Sequence, residues 1–130
     1  LCVDALDGGP GVRTARYGMD VFGRLLESDE RNAYLLRNLS HLSSDEERKA
    51  YFVCALALIV DRWRVFTICE SVQGHIAKQS YGAGGFGYDP VFIVSEAGKT
   101  MAQLSDEEKD LYSHRGRACR HIKTLLGALS

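Results

Sequence analysis

Two clusters in this 130-residue chain have residue types and spacing that could do chemistry. The first is Gly82-Ala-Gly-Gly-Phe-Gly87, followed directly by Tyr88-Asp89-Pro90. Four glycines in six positions leave the backbone bare enough for a ligand to come close. Phe86 and Tyr88 flank Gly87, and an aromatic face beside free amides suits a flat heterocycle. Asp89 precedes a proline, which favours extended backbone at that position. Its carboxylate could meet a sugar hydroxyl or orient a base. The run also matches G-x-G-x-x-G. A dinucleotide fingerprint must open a helix, however, and Pro90 with the apolar run after it opposes one. A plain surface turn stands as the alternative to a ligand loop.

The second cluster is Ser113-His114-Arg115-Gly116-Arg117. Ser113 can cap a final helix, and a helix start offers free amides and partial positive charge. Lys109 lies one turn away in the preceding helical segment. Together these cations could recognise an anion or a carbonyl, since a guanidinium donates in pairs to acceptor atoms. A solvated basic patch fits the same residues equally well. Other candidates are thinner. Glu70 sits in an apolar strand and either faces water or serves a site. His41, His75 and His121 form no ligand set. There is no H-E-x-x-H, G-x-S-x-G or Walker A motif, so no nucleophile–base pair can be named.

Elements must position these clusters. Leu1–Leu6 reads as a strand, ended by the turn Asp7-Gly-Gly-Pro-Gly11. Helical spacing runs from Val21 to Leu42, with polar Glu27–Asn32 interrupting it. Ser43–Glu47 resembles a capping box and predicts one helical turn. Ala50–Val60 and Trp63–Val72 predict a long antiparallel hairpin, Gly74–Lys78 a third strand segment and Val91–Val94 a fourth strand. Ser105–Glu108 is a second capping box, opening a helix to about Tyr112. Ala118, Ile122, Leu125, Leu126 and Leu129 give the last helix its apolar stripe. Helices mixed with hairpins predict an α/β or α+β domain without a repeating parallel βαβ layout.

Composition sets the limits. Sixteen basic residues face 17 acidic ones, a net charge of −1. Such a chain is a poor general binder of nucleic acid or membrane, so an anionic ligand must be met by local charge. With 45% hydrophobic and 25% charged residues the chain is not disordered. No apolar run approaches the roughly 18 residues of a membrane span. A single soluble domain is expected. Cys2, Cys54, Cys69 and Cys119 show no C-x-x-C spacing and predict reduced, mostly buried thiols. Leu1 is not an initiator methionine, and the opening strand reads as already under way. The expectation is a processed chain or a fragment lacking its N-terminal part.

At Gly84-Gly-Phe-Gly-Tyr-Asp-Pro90 followed by Ser113-His-Arg115, the sequence resembles the inosine/xanthosine triphosphate pyrophosphatase family. Val3-Asp-Ala-Leu6, Pro10-Gly-Val12, Ala15-Arg-Tyr17, Phe52-Val-Cys54, Leu104-Ser105 and Glu108-Lys109 support it. The resemblance implies an elongated, two-lobed α/β fold with a mixed sheet and a nucleotide cleft. It implies as well that the family's N-terminal strand and helix region is lacking, with residues 1–130 expected to be the C-terminal two-thirds of a single domain. It further implies hydrolysis of non-standard purine nucleoside triphosphates to the monophosphate and pyrophosphate, Mg²⁺ as cofactor, a cytoplasmic location and a homodimer.

By the same resemblance Phe86, Gly87, Tyr88 and Asp89 form the base-binding loop, with Tyr88 as the stacking aromatic. Lys109 binds substrate, and His114 with Arg115 reads the base. Family members also carry a glycine/lysine phosphate loop, a metal-binding glutamate and an Asp-Asp-Ser-Gly segment with the catalytic aspartate. None of these occurs here. The implied metal ligands and catalytic aspartate thus lie outside these residues, and the polypeptide is expected to be inactive alone. A non-catalytic purine-nucleotide binding module and a structural remnant are the alternatives.

Overall fold

A computed structural model describes residues 1–129. Its frame is the long hairpin that the β-branched and aromatic runs favour. β2 (Lys49–Asp61) and β3 (Arg64–Ile76) have 13 residues each. They pair antiparallel from Lys49↔His75 to Ile59↔Val65, with an irregularity before Asp61↔Arg64. Asp61 closes the turn: its carboxylate accepts from the Trp63 and Arg64 amides at 2.9 and 3.0 Å. An aspartate bonding the backbone just ahead of it is a standard turn device.

Strand alternation divides the hairpin into two rows. Phe52, Cys54, Leu56 and Leu58 of β2 share a half-buried row with Phe66, Ile68 and Glu70 of β3. The last helix, α4 (His114–Leu129), lies across this row. Its Ala118 is fully buried, and His121 Nε2 stands 3.4 Å from Glu70 Oε1. Glu70 is therefore neither a free surface charge nor part of the ligand cavity described below. The opposite row, Val53, Ala55, Ala57, Ile59, Val65 and Thr67, is exposed.

Three short strands complete the sheet: β1 (Cys2–Val3), β4 (Phe92–Val94) and β5 (Lys99–Thr100). The order is β1-β2-β3-β4-β5, and every pairing is antiparallel. The α/β class holds, and in these residues the expected mixed sheet is an antiparallel meander. The expected segment Gly74–Lys78 is not a separate strand, because β3 runs on through it to Ile76. Gly74 permits this, since a Cβ there would collide with the Ile93 carbonyl of β4. The expected strand Leu1–Leu6 shortens to β1. Asp4–Leu6 winds into a 3-10 turn held by Asp7 N–H to the Asp4 carbonyl at 3.0 Å.

Helices follow their capping chemistry. The run from Val21 to Leu42 divides into α1 (Met19–Phe22) and α2 (Ser28–Asn38), separated at Gly23, whose φ is +69°. Glu27 and Glu30 form a reciprocal capping box on α2. Ser105 and Glu108 do the same on α3 (Asp106–Tyr112), as their spacing predicts. Ser113 accepts from the Gly116 amide at 3.0 Å and starts α4. Ser43–Glu47, by contrast, starts no regular helix. The Glu47 carboxylate binds the Ser43 and Ser44 amides of a turn instead.

The core gathers Val3, Leu35, Leu39, Val72, Ile76, Val91, Phe92 and Val94. Arg48 lies inside it at 2% exposure. Its Nε donates to the Ile76 carbonyl at 2.7 Å, Nη2 to Ala77 at 2.6 Å, and Nη1 to Leu39 at 2.7 Å and Leu42 at 3.1 Å. One guanidinium thus joins the end of α2 to the end of β3. Burial lowers its pKa from the usual arginine value, yet arginine stays charged in folded proteins. The four thiols are free, but Cys69 and Cys119 are exposed and Cys2 and Cys54 half-buried, so they are not mostly buried. Among the described residues no helix is long and apolar enough to cross a membrane.

Arg48→Met strands the Ile76 and Ala77 carbonyls and removes a bond from Leu42, while the Leu39 carbonyl keeps the Leu42 amide at 3.0 Å. With about 1–3 kcal/mol for each buried group left unpaired, we expect a loss of about 3 kcal/mol or more in unfolding free energy by urea titration. Arg48→Lys should recover only part of it, because one ammonium cannot span both sides. An unchanged midpoint in Arg48→Met would remove the brace.

Candidate functional site

The glycine loop and the start of α4 meet across a cavity of about 300 Å³. Phe86, Gly87, Tyr88, Asp89, Lys109, His114 and Arg115 all line it, so the two sequence clusters share one hollow. A more open groove of about 530 Å³, along Pro10, Arg13, Arg16 and Tyr34, contains none of them. Arg117 turns elsewhere, with its guanidinium 2.8 Å from Glu96 and 3.2 Å from the Ser71 carbonyl.

Asp89 builds the loop. Its buried Oδ2 accepts from the Phe86 amide at 3.0 Å and from Lys109 Nζ at 2.7 Å. Gly85 makes this possible, with φ at +75° and no room for a Cβ against Asp89 and Lys109. The extended geometry expected at Asp89 is not found. Asp89–Val91 forms a 3-10 turn, closed by Val91 N–H to the Tyr88 carbonyl at 3.0 Å. The local hydrogen bonds outweigh the preference of a pre-proline residue. Asp89 Oδ2 therefore serves the loop itself and is not a free acceptor for a sugar.

The two rings have unequal exposure. Tyr88 is 5% exposed and its hydroxyl donates to the Thr14 carbonyl at 2.6 Å. Burial pushes that hydroxyl up to about 12. The Arg31 guanidinium lies 5.6 Å from its ring centroid. Phe86 is 61% exposed, with Arg115 at 4.6 Å and Lys109 Nζ at 5.3 Å from its centroid. The Tyr88 hydroxyl ties that ring into the cavity wall. Phe86 is the ring that stands open beside the cations.

His114 stacks on Phe52, with centroids 5.1 Å apart and planes within 9°. Burial, reinforced by the neighbouring Arg115 charge, pushes its imidazole down to about 4. It is therefore neutral at pH 7, and its buried Nδ1 has no partner. Arg31, Lys109 and Arg115 stand against one carboxylate, Asp89, around the cavity. A positive, half-apolar hollow of this kind suits an aromatic ring carrying acceptor atoms and negative charge.

Thr14, Arg31, Asn32 and Phe52 are site residues that the sequence reading missed. Asn32 Nδ2 donates to the Gly87 carbonyl at 2.9 Å across 55 positions of sequence. The only local signal was the polar stretch Glu27–Asn32, which reads as an interruption of the helix. Metal chemistry finds no seat in these residues. Among the described residues no three His, Cys, Asp or Glu side chains gather to hold an ion, and Asp89 Oδ2 is already bound to Lys109 and Phe86. The described residues do not fit the implied Mg²⁺.

The His114 shift sets a pH dependence. As pH falls below 6.5, the unfolded chain takes up this proton first, while the folded imidazole resists until about 4. Stability from this group is complete above 6.5 and is lost as pH falls through that window. Thermal melts at pH 7 and pH 4.5 should show a smaller acid loss in His114→Gln than in the wild type. Equal losses would contradict a depressed imidazole.

Comparison with known proteins matches this arrangement to a family. The family model described as Ham1 family matches residues 1–125. A dITP/XTP pyrophosphatase of Treponema denticola is 42% identical over 126 residues, covering 97% of this chain and 63% of its own length. Another dITP/XTP pyrophosphatase, of Thermus thermophilus, is 51% identical over 122 residues, covering 94% and 56%. The solved Ham1 protein of Coxiella burnetii superposes with a TM-score of 0.85 at 34% identity, over 98% of this chain and 63% of that one. The Staphylococcus aureus Ham1 protein also gives 0.85, at 36% identity and the same coverage. The chain thus spans 56–63% of the length of these relatives. Matched over nearly its whole length in both sequence and fold, it belongs to the Ham1 family.

Proposed function

We propose that this chain supplies the base-recognising part of a pyrophosphatase acting on non-standard purine nucleoside triphosphates, those of inosine and xanthosine. The observation that carries the reading is the convergence of Arg115, neutral His114 and the open Phe86 ring on one cavity. The relatives' names, dITP/XTP pyrophosphatase, support the substrate class. The chemistry agrees with it. A guanidinium at the purine's 6-position donates to the keto oxygen of hypoxanthine or xanthine. Facing adenine it meets an amino group, itself a donor. A polar group left unpaired in a closed site is what gives strong discrimination. Lys109 adds positive charge for the anionic part of the nucleotide.

In the whole protein the products are the nucleoside monophosphate and pyrophosphate, with Mg²⁺ as cofactor, and the assembly is a homodimer. The described residues form part of one larger domain. A nucleotide substrate and four free thiols suit the cytoplasm. The 130 residues by themselves bind nucleotide without cleaving it, since among the described residues no cluster of carboxylates stands at the cavity.

Calorimetry with inosine and adenosine triphosphates tests the base-reading claim. The chain should prefer inosine triphosphate, and Arg115→Ala should reduce that preference about tenfold, the equivalent of about 1.4 kcal/mol. An unchanged ratio removes Arg115 from base reading. Pyrophosphate release with added Mg²⁺ should stay at background, and turnover above background would overturn the binding-only assignment.

A further inference from the structure

Helix α2 approaches the cavity from outside, and none of its residues belongs to the two clusters that the sequence singles out. Two adjacent side chains near its N-terminus nevertheless hold the glycine loop. Asn32 is 3% exposed and donates Nδ2 to the Gly87 carbonyl at 2.9 Å. Arg31 places its guanidinium over the Tyr88 ring and donates to the Ala15 and Leu26 carbonyls at 2.9 and 3.2 Å. Asn32 is an unfavourable residue for this place on packing grounds alone. Its Oδ1 is buried without a partner, which costs stability that an apolar side chain of the same shape would keep. What the amide provides in return is the single bond to Gly87.

We propose that Asn32 is a positioning residue for the purine site. Gly87 lies between the open ring Phe86 and the locked ring Tyr88, and its φ of +59° is one that glycine reaches without steric cost. Asp89, itself bound by Lys109, holds the Phe86 amide on the α3 side. Asn32 holds the next residue, Gly87, on the α2 side. Losing that bond frees Gly87 to rotate and carries Phe86 away from Arg115. The proposal rests on reading the cavity as a purine site.

Asn32→Leu keeps the side-chain outline while removing both the donor and the orphan acceptor. The two removals offset each other in stability, so the melting temperature should stay within about 5 °C of wild type. Inosine triphosphate should bind about tenfold more weakly, because a small misplacement of a binding group is enough for that. Hydrogen exchange at the Phe86 and Asp89 amides should quicken about tenfold, with β2 unaffected. Asn32→Asp, which turns an acceptor toward the carbonyl, should act in the same direction and serves if the leucine variant does not fold. Wild-type affinity in a folded variant, with or without faster exchange, overturns the positioning role. If the wild-type chain binds no inosine triphosphate, the purine reading falls separately, and exchange at the same amides decides whether Asn32 holds the loop.

Discussion

The site depends on one oxygen atom. Asp89 Oδ2 receives the Phe86 amide and the Lys109 ammonium together. That pair of hydrogen bonds folds the glycine loop back on itself and docks it on α3. Because α3 leads through Ser113 straight into α4, the same contact sets the distance between the loop and His114–Arg115. Gly85 is the condition for it, since only a residue without a side chain leaves the carboxylate and the ammonium room to meet. The glycine richness of the loop is in this respect a packing requirement as well as a source of bare backbone.

Charge is distributed with a purpose around that knot. Arg31, Lys109 and Arg115 line one cavity, and Asp89 pairs with Lys109 at 2.7 Å. Two aromatic faces take up part of the rest, Phe86 beneath Arg115 and Tyr88 beneath Arg31. His114 remains neutral because a further cation there would face both burial and Arg115. The hollow therefore carries a local excess of cationic donors in a chain whose net charge is −1.

Much of the frame was legible because it depends on local rules. The capping boxes at Ser105 and the serine before α4 follow nearest-neighbour hydrogen bonding. The long hairpin follows the run of β-branched and aromatic residues. The loop and the His114–Arg115 pair were legible because glycine density and a basic helix start are unusual patterns. What could not be read were bonds made across the fold. Asn32 to Gly87, Tyr88 to Thr14 and Arg48 to four carbonyls join residues far apart in sequence, or pair side chains with backbone that bears no residue-specific mark. The burial of Tyr88 and the exposure of Phe86 fall in the same class, because a hydroxyl finds its carbonyl only once the chain is folded. Ser43–Glu47 shows the reverse limit, where capping residues are present but no helix follows them.

The Arg48 brace has a consequence for how the molecule meets acid. All its acceptors are peptide carbonyls, which do not titrate in the range where carboxylates and imidazoles do. Protonation thus does not act on the four bonds of the brace, although His75 and Asp45 stand 3.4 Å apart beside it, whereas it acts directly on the half-buried imidazole that lines the cavity. Acid therefore reaches the fold through a group on the ligand-facing side, while the bonds of the brace itself carry no proton to gain.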